Sequence, residues 1–313
     1  MFASLHTPVS TRFVSLVATL VLCAAGAASA QSTVVRVATN VGNIDLQLLD
    51  AEAPKTVANY LAYVRSNAWA NVIVHRSVPG FVIQMGGYTW PAASSSPVKI
   101  TQLPPVVNEF SASRSNLRGT LAMAKVGGNP DSATSEWFVN LANNTSPCPP
   151  INPGTVNEQA GLDCQNGGFT VFARVTGEGM ATADKIAALP RVNAGGVVSS
   201  MPMLKVESPL TLDAVKANAV TISSVTEFPA QAGKTDSDRI FDFLEKNYPQ
   251  YVPVEGKESG VALGYVYRYY PKTNSYVGTK DNQVWYLVPA LSNDIQRLGT
   301  LTDWLVIAAT SGN

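Results

Sequence analysis

The first half of the chain carries short runs rich in Val, Ile and Leu, which are typical of β-strands. Two such runs, 34–38 and 44–48, are separated by the turn-forming sequence Asn40-Val41-Gly42-Asn43 and predict a hairpin. Pro54-Lys55-Thr56 follows and is typical of a helix start. Apolar residues then repeat at helical spacing: Val57, Tyr60, Leu61 and Val64.

Similar runs recur up to residue 225, and a second helical pattern spans 180–189. The further predicted strands lie at 72–76, 81–84, 119–125, 136–141, 169–175 and 220–225. Because strands outnumber helices, the pattern favours a sheet closed on itself over a βαβ sheet. We expect a mainly β fold over residues 31–228, a closed antiparallel β-barrel capped by two helices.

The pattern changes near the C-terminus. Residues 229–236, Pro-Ala-Gln-Ala-Gly-Lys-Thr-Asp, indicate a linker, and Ser237 is expected to cap a helix with one apolar face. A strand with alternating tyrosines follows: Tyr265, Tyr267 and Tyr269. With further turns, strands and a last helix, residues 237–313 are predicted to form a small α-β-β-β-α domain, near the lower size limit for a self-sufficient core.

The N-terminus has the pattern of a secretory signal peptide. Arg12 is followed by an apolar run over 13–22 and by a stretch of small residues. Ala28-Ser29-Ala30 matches an A-x-A cleavage site. The apolar run is too short for a stable membrane-spanning helix. We therefore predict a signal peptide over 1–30 and an exported protein, periplasmic or secreted, with no membrane span once that segment is removed.

Composition narrows the chemistry. Of 313 residues, 46% are hydrophobic and 14% charged, with 22 basic and 22 acidic side chains. This balance gives no electrostatic basis for binding nucleic acid. The histidines are His6, in the predicted signal peptide, and His75. One remaining histidine excludes a multi-histidine metal site, and a hydrolase using His75 lacks partners at suitable spacing, so we expect no metal and no cofactor.

Cys148 and Cys164 bracket a segment rich in Pro, Asn and Gly, which has little secondary-structure pattern of its own. In an oxidising compartment a disulfide across such a loop persists and contributes roughly 3 kcal/mol in the loop-entropy model. We expect this disulfide, with two unpaired thiols as the alternative. Zinc is disfavoured because it takes about four ligands.

Three segments stand out by their order and spacing. They are His-Arg-Ser-Val-Pro-Gly-Phe-Val-Ile-Gln at 75–84, Gly-Thr-Leu-Ala-Met-Ala-Lys at 119–125, and Ser-Ala-Thr-Ser-Glu-Trp-Phe-Val-Asn at 132–140. Together they resemble the cyclophilin family of peptidyl-prolyl cis–trans isomerases, in particular its exported bacterial members. The resemblance continues in 54–60, 108–110 and 169–177, and so covers residues 33–226.

The resemblance implies rotation about X–Pro bonds and a set of site residues. The implied catalytic residues are Arg76, Phe81, Gln84 and Phe138. The implied substrate-binding residues are Val82, Leu162 and Phe169 in the proline pocket and Met123, Ala124 and Lys125 along the peptide edge. The alternatives are an ion-pairing surface role for Arg76 and ordinary core packing for the apolar residues, while His75 is expected to pack inside.

Several positions depart from the family pattern. They are Val74 where Phe is usual, Met85 where Gly is usual, Val82 in place of a Met-type wall, Glu136-Trp137 where Gln-Phe is usual, Lys125 where Asn or Arg is common, and Phe169 where His or Tyr is common. None of them removes the implied catalytic residues. They bear on efficiency and substrate range rather than on the reaction type.

We therefore expect a prolyl isomerase that acts on proline-containing unfolded or extended polypeptides and assists the folding of exported proteins. The alternative is a cyclophilin-fold binding module for proline-containing segments with little turnover. The C-terminal unit resembles a short Tyr-rich module found as a tail on exported proteobacterial proteins. Its aromatic stripe either binds a glycan or partner, which the sequence leaves unnamed, or packs a small core.

Overall fold

The computed structural model describes residues 33–146, 161–228, 234–289 and 295–311. The predicted signal peptide over 1–30, Cys148 and most of the predicted linker therefore lie outside the described residues. Within the described ranges, no helix is both long and apolar enough to cross a membrane.

The chain forms short strands and five α-helices within the described residues. The strands are β1 Val34–Thr39, β2 Asn43–Leu48, β3 Arg76–Val78, β4 Val82–Met85, β5 Tyr88–Thr89, β6 Val98–Lys99, β7 Thr120–Met123, β8 Trp137–Asn140, β9 Val171–Thr176, β10 Arg191–Val192, β11 Met201–Pro202, β12 Ile222–Phe228, β13 Glu258–Ala262, β14 Tyr265–Tyr270, β15 Ser275–Lys280, β16 Gln283–Leu287 and β17 Gln296–Thr300. The helices are α1 Pro54–Arg65, α2 Gly179–Ala188, α3 Leu212–Ala217, α4 Asp236–Asn247 and α5 Leu301–Thr310.

Eight antiparallel strands form one curled sheet in the order β12-β1-β2-β9-β7-β8-β4-β3. Its inward side chains and those of α1 and α2 share the main hydrophobic core. Tyr60, Trp69 and Trp137 are among the largest fully buried side chains in that core. The helices predicted after Pro54 and near residue 180 are confirmed. The short α3, capped by the Thr211 hydroxyl, is an element that the sequence pattern did not predict.

The sheet is an open half-barrel, which differs from the expected closed barrel. Among the described strands, the edge strands β3 and β12 do not pair as a ladder. Backbone hydrogen bonds join 71–74 to 220–222, including one from Val74 N to Val220 O at 2.9 Å. Val72 and Ile73 nevertheless make isolated bridges to two different partners, and Asn71 is left-handed at φ 63°. A segment whose successive residues bridge to two different partners cannot continue the ladder.

The C-terminal domain has a five-stranded antiparallel sheet in the order β13-β14-β15-β16-β17, where three strands were predicted. The two additional strands, β13 and β17, lie at the edges and carry mostly exposed side chains, so they lack the apolar pattern of a buried strand. The helix start also differs: Thr235, not Ser237, is the N-cap of α4, in a capping box with Asp238.

One face of this second sheet packs with α4 and α5. Phe241, Tyr270 and Leu305 belong to this core, which Val34 of β1 also joins. The predicted tyrosine stripe is not part of it, since Tyr265, Tyr267 and Tyr269 are half-buried and lie outside the cluster. The outer face instead forms an apolar groove of about 280 Å³, lined among others by Tyr265, Tyr267, Tyr276 and Trp285.

Candidate active site

Strand register brings the predicted site residues into one row. Arg76 on β3 pairs with Gln84 on β4, and Gln84 pairs with Phe138 on β8. Phe138 in turn pairs with Ala122 on β7. Paired residues of neighbouring antiparallel strands point to the same face of a sheet. The hairpin of β3 and β4, together with β7 and β8 further along the chain, therefore places a cation, an amide and an apolar surface side by side.

The alternation along these strands separates core from site. Ile83, Leu121 and Trp137 point inward and belong to the main core. Their neighbours Val82, Ala122 and Phe138 point outward and form a second apolar cluster with others, including Leu162 and Val171. Because successive side chains on a strand alternate between faces, residue parity alone decides which side chains reach the outer face.

The outer cluster forms the floor of an open groove of about 410 Å³. The groove is lined by Arg76, Phe81, Val82, Gln84, Ala124, Lys125, Gly127, Phe138, Leu162, Gln165, Asn166 and Phe169. Every predicted site residue except Met123 is among them. Met123 is a correction: its side chain is 1% exposed in the main core, because it shares the inward parity of Leu121 on β7.

The groove places the guanidinium next to an apolar pocket. The guanidinium carbon of Arg76 lies 5.7 Å from the ring centre of Phe81, a cation–π contact. Phe138 is almost fully buried and meets Phe169 edge to face, with ring centres 5.8 Å apart. Val82 and Leu162 are also buried in this cluster. A proline-sized apolar group can be held in this pocket, next to the guanidinium of Arg76.

Lys125 connects one wall of the groove to the loop before Phe169. Its Nζ donates to the carbonyl oxygens of Asn166 at 2.7 Å and Gly168 at 2.6 Å. The ammonium also lies 4.7 Å from the ring centre of Phe169. Burial lowers the pKa of Lys125 to about 8, an effect that the charge of Asp131 partly opposes.

A buried amide network supports the other wall. Asn144 Nδ2 donates to the carbonyl oxygen of Phe81 at 2.9 Å and to Asn140 Oδ1 at 2.8 Å. Asn140 Nδ2 donates in turn to Asn116 Oδ1 at 3.2 Å and to Thr120 Oγ1 at 2.9 Å. Sequence reasoning missed this network, because isolated asparagines in strands and loops give no sign that they meet.

The half-buried carboxylate of Glu136 contacts the groove residue Gln84. Gln84 Nε2 donates to Glu136 Oε2 at 2.9 Å, and His75 Nε2 lies 3.5 Å from the same oxygen. Burial raises the pKa of Glu136, while the Gln84 hydrogen bond and the charge of Lys99 lower it. His75 is buried as expected, and burial with the charge of Arg76 lowers its pKa to about 4. His75 is therefore neutral near pH 7.

Gly127, Gln165 and Asn166 also line the groove, and the sequence analysis did not single them out. Asn166 and Gly167 have left-handed backbones, at φ 50° and 75°, so the Asn-Gly-Gly sequence before Phe169 was the available turn signal. Cys164 lies at the start of this turn. Its proposed partner Cys148 lies outside the described residues, so the disulfide stays a prediction.

Known proteins similar in sequence identify the family of this chain. Residues 34–208 match the family model described as cyclophilin type peptidyl-prolyl cis-trans isomerase/CLD. The chain is similar to a peptidyl-prolyl cis-trans isomerase of Acinetobacter baylyi, 38% identical over 159 residues that cover 51% of this chain and 74% of the relative. It is also similar to peptidyl-prolyl cis-trans isomerase A of Dickeya dadantii, 38% identical over 168 residues that cover 54% of this chain and 78% of the relative.

A solved cyclophilin-type isomerase from Cryptosporidium parvum matches 64% of this chain and 99% of its own length, at 19% identity and a TM-score of 0.42. The family match and the bacterial relatives are sufficient to assign the family. The chain belongs to the cyclophilin-type peptidyl-prolyl cis–trans isomerase family. Its enzymatic activity is the isomerisation of X–Pro peptide bonds.

Proposed function

We propose that the groove is the site of isomerisation and that Arg76 is its catalytic donor, acting on exported polypeptides as they fold. The observation that carries this proposal is the row formed by Arg76, Gln84 and Phe138 across three paired strands. A cation, an amide and an apolar ring then face one bound dipeptide. Each has a part in rotating the X–Pro bond.

The chemistry requires no bond to break. The barrier of about 18–20 kcal/mol comes from amide resonance, so a catalyst has to bind the twisted amide better than either planar form. Twisting localises the lone pair on the proline nitrogen, which can then accept a hydrogen bond. A guanidinium stays protonated at any working pH, so the side chain of Arg76 can donate to that nitrogen throughout the pH range of the enzyme.

The apolar cluster holds the proline ring while the preceding carbonyl rotates. Phe138, Val82 and Leu162 provide a buried floor, and Phe169 closes one side. Phe81 contacts the ring and keeps the guanidinium of Arg76 in place. Gln84 bonds the substrate backbone and helps orient Arg76. The peptide lies along Ala124 and Lys125, with Met123 contributing only its backbone.

The proposed setting follows from the N-terminal sequence. The apolar run over 13–22 and Ala28-Ser29-Ala30 support export and cleavage after residue 30. Clients in that compartment are unfolded chains whose X–Pro bonds isomerise in tens to hundreds of seconds unaided. N-terminal sequencing of the protein from a periplasmic fraction should return Gln31 as the first residue. A chain that keeps residues 1–30 in the cytoplasm would contradict the export proposal and leave the chemistry untouched.

Catalysis by Arg76 is tested with Arg76→Ala in a proline-peptide isomerisation assay. We expect kcat/KM to fall at least about tenfold, a loss of about 1.4 kcal/mol or more of transition-state stabilisation. Arg174→Ala is the matched control, because Arg174 is an exposed arginine on β9 of the same sheet. Equal activity of Arg76→Ala and wild type would refute the assignment. Retained peptide binding with no turnover in wild type would favour a binding module instead.

A further inference from the structure

Glu136 occupies an unusual place in this site. It precedes Trp137 and Phe138 on β8, but its side chain is not among the residues that line the groove. Instead its carboxylate accepts a hydrogen bond from Gln84 Nε2 at 2.9 Å. His75 Nε2 lies 3.5 Å from the same carboxylate oxygen.

The carboxylate is held in a prepared space. Its side chain is only 19% exposed. A Cβ added to Gly87 would lie 2.7 Å from the carboxyl carbon of Glu136, so the space beside the carboxylate exists only because residue 87 is glycine. Gln84 lies on β4 and Glu136 immediately precedes the neighbouring strand β8, where Gln84 pairs with Phe138.

A carboxylate distinguishes the two ends of a glutamine amide. An ionised carboxyl group only accepts hydrogen bonds, whereas an amide offers an acceptor and a donor of nearly the same shape. With Glu136 ionised, only the nitrogen of Gln84 can face it. We propose that Glu136 is a positioning residue that fixes the Gln84 amide with its nitrogen toward the carboxylate and its oxygen toward the groove and Arg76.

This orientation has a consequence for the reaction. A carbonyl oxygen can accept from the guanidinium of Arg76 or from a substrate N–H, while an amide nitrogen in the same place would oppose the cation. The inference thus rests on the proposed role of Gln84 in the groove. It adds a reason for glutamate at a position where the resemblance leads one to expect glutamine, since a glutamine there would allow either orientation of Gln84.

Protonation of Glu136 should reverse the preference. A protonated carboxyl group can donate to the Gln84 oxygen and so favours the flipped amide. The titratable groups that face Glu136 are His75 before β3, Tyr88 on β5 and Lys99 on β6, with Arg76 beside His75. Since burial raises the pKa of Glu136, this flip should occur at a higher pH than the protonation of an exposed glutamate.

The test compares pH profiles of kcat/KM for wild type, Glu136→Gln and Gln84→Ala. Wild type should lose activity as pH falls from neutrality through the raised pKa of Glu136, to or below the level of Glu136→Gln. Glu136→Gln should be flat over that range and lower than wild type at neutral pH by roughly twofold, because its two amide orientations are then comparable. In His75→Asn, kcat/KM should still fall at low pH, which assigns the titration to the carboxyl group of Glu136.

A readout apart from activity is the side-chain amide signal of Gln84 in ¹H–¹⁵N NMR spectra. It should shift with pH in wild type and stay constant in Glu136→Gln. Gln102 is the internal control, since its amide donates to the Thr134 hydroxyl, which does not titrate in this range. The proposal would be overturned if kcat/KM of Glu136→Gln still fell at low pH, or if the Gln84 amide signal of wild type did not shift with pH. An inactive Arg76→Ala beside a fully active Gln84→Ala would overturn this inference alone and leave Arg76 as the donor.

Discussion

The buried amide network predicts that Asn144→Ala weakens both the fold and the groove. Asn144 is 8% exposed and donates two hydrogen bonds, one to the carbonyl oxygen of Phe81 and one to Asn140 Oδ1. The Phe81 carbonyl keeps a second donor, the backbone N–H of Leu141 at 2.8 Å. Asn140 Oδ1 lies in a fully buried side chain and loses the donor from Asn144.

The magnitude follows from these two losses. A hydrogen bond that is replaced contributes about 0.5–1.5 kcal/mol, and a buried acceptor left unpaired costs about 1–3 kcal/mol. Losing the hydrogen bond to the Phe81 carbonyl costs less, because that carbonyl still accepts from the backbone N–H of Leu141. We expect Asn144→Ala to lower the free energy of unfolding by about 2–3 kcal/mol. Phe81 forms part of the groove wall and contacts Arg76, so kcat/KM should fall as well.

The assay is urea unfolding followed by tryptophan fluorescence, together with isomerisation kinetics on the same samples. Asn143→Ala is the matched control, because Asn143 is an exposed asparagine one position earlier, bonded only to the backbone N–H of Arg118 among the contacts described. It should change the free energy of unfolding by less than about 0.5 kcal/mol. Equal unfolding midpoints for the two variants would refute the reasoning that the network supports Phe81.

Two further predictions concern the loop that carries Phe169. Burial lowers the pKa of Lys125 from 10.5 to about 8, so between these values the unfolded chain binds more protons there, and stability relative to Lys125→Met should rise with pH across that window in urea unfolding curves. Lys125→Met should also raise KM, because the carbonyls of Asn166 and Gly168 lose their shared donor. Cys148 and Cys164 should appear as one linked peptide in non-reducing mass spectrometry, and replacing both with serine should raise KM more than it lowers Tm. Free thiols in periplasmic protein would contradict the bridge.

Elements with a strong apolar period could be predicted from the sequence. The helix beginning at Pro54 and the hairpin of β1 and β2 follow from spacing and turn residues, and both are confirmed. Whether the barrel closes could not be predicted from the sequence. It depends on which strand the segment before β3 pairs with, and no local sequence pattern determines that tertiary contact. The edge strands β13 and β17 were missed for a related reason, since solvent-facing edges carry no apolar pattern.

The residues of the groove were predicted through the resemblance to the cyclophilin family. The alternation of side chains along β7 corrects that prediction at one residue. Every residue expected in the groove is there except Met123, whose place on β7 turns it inward. Alternation alone would have shown this, since Ala122 and Ala124 already fill the outward positions. The contacts that support the groove were not predictable in the same way. The bonds of Lys125 to backbone carbonyls and of Asn144 to Phe81 join residues far apart in the chain.

The same parity divides the departures from the family pattern into two classes. Val74, Met85 and Trp137 all belong to the main core. There residue 74 carries a smaller side chain than usual, while residues 85 and 137 carry larger ones. The volume changes are of opposite sign, and cores tolerate such changes best when the total is kept. These changes do not reach the substrate. Val82, Lys125 and Phe169 line the groove and Glu136 is hydrogen-bonded to Gln84 of the groove, so any difference in substrate range or pH response from other family members should map to those four positions.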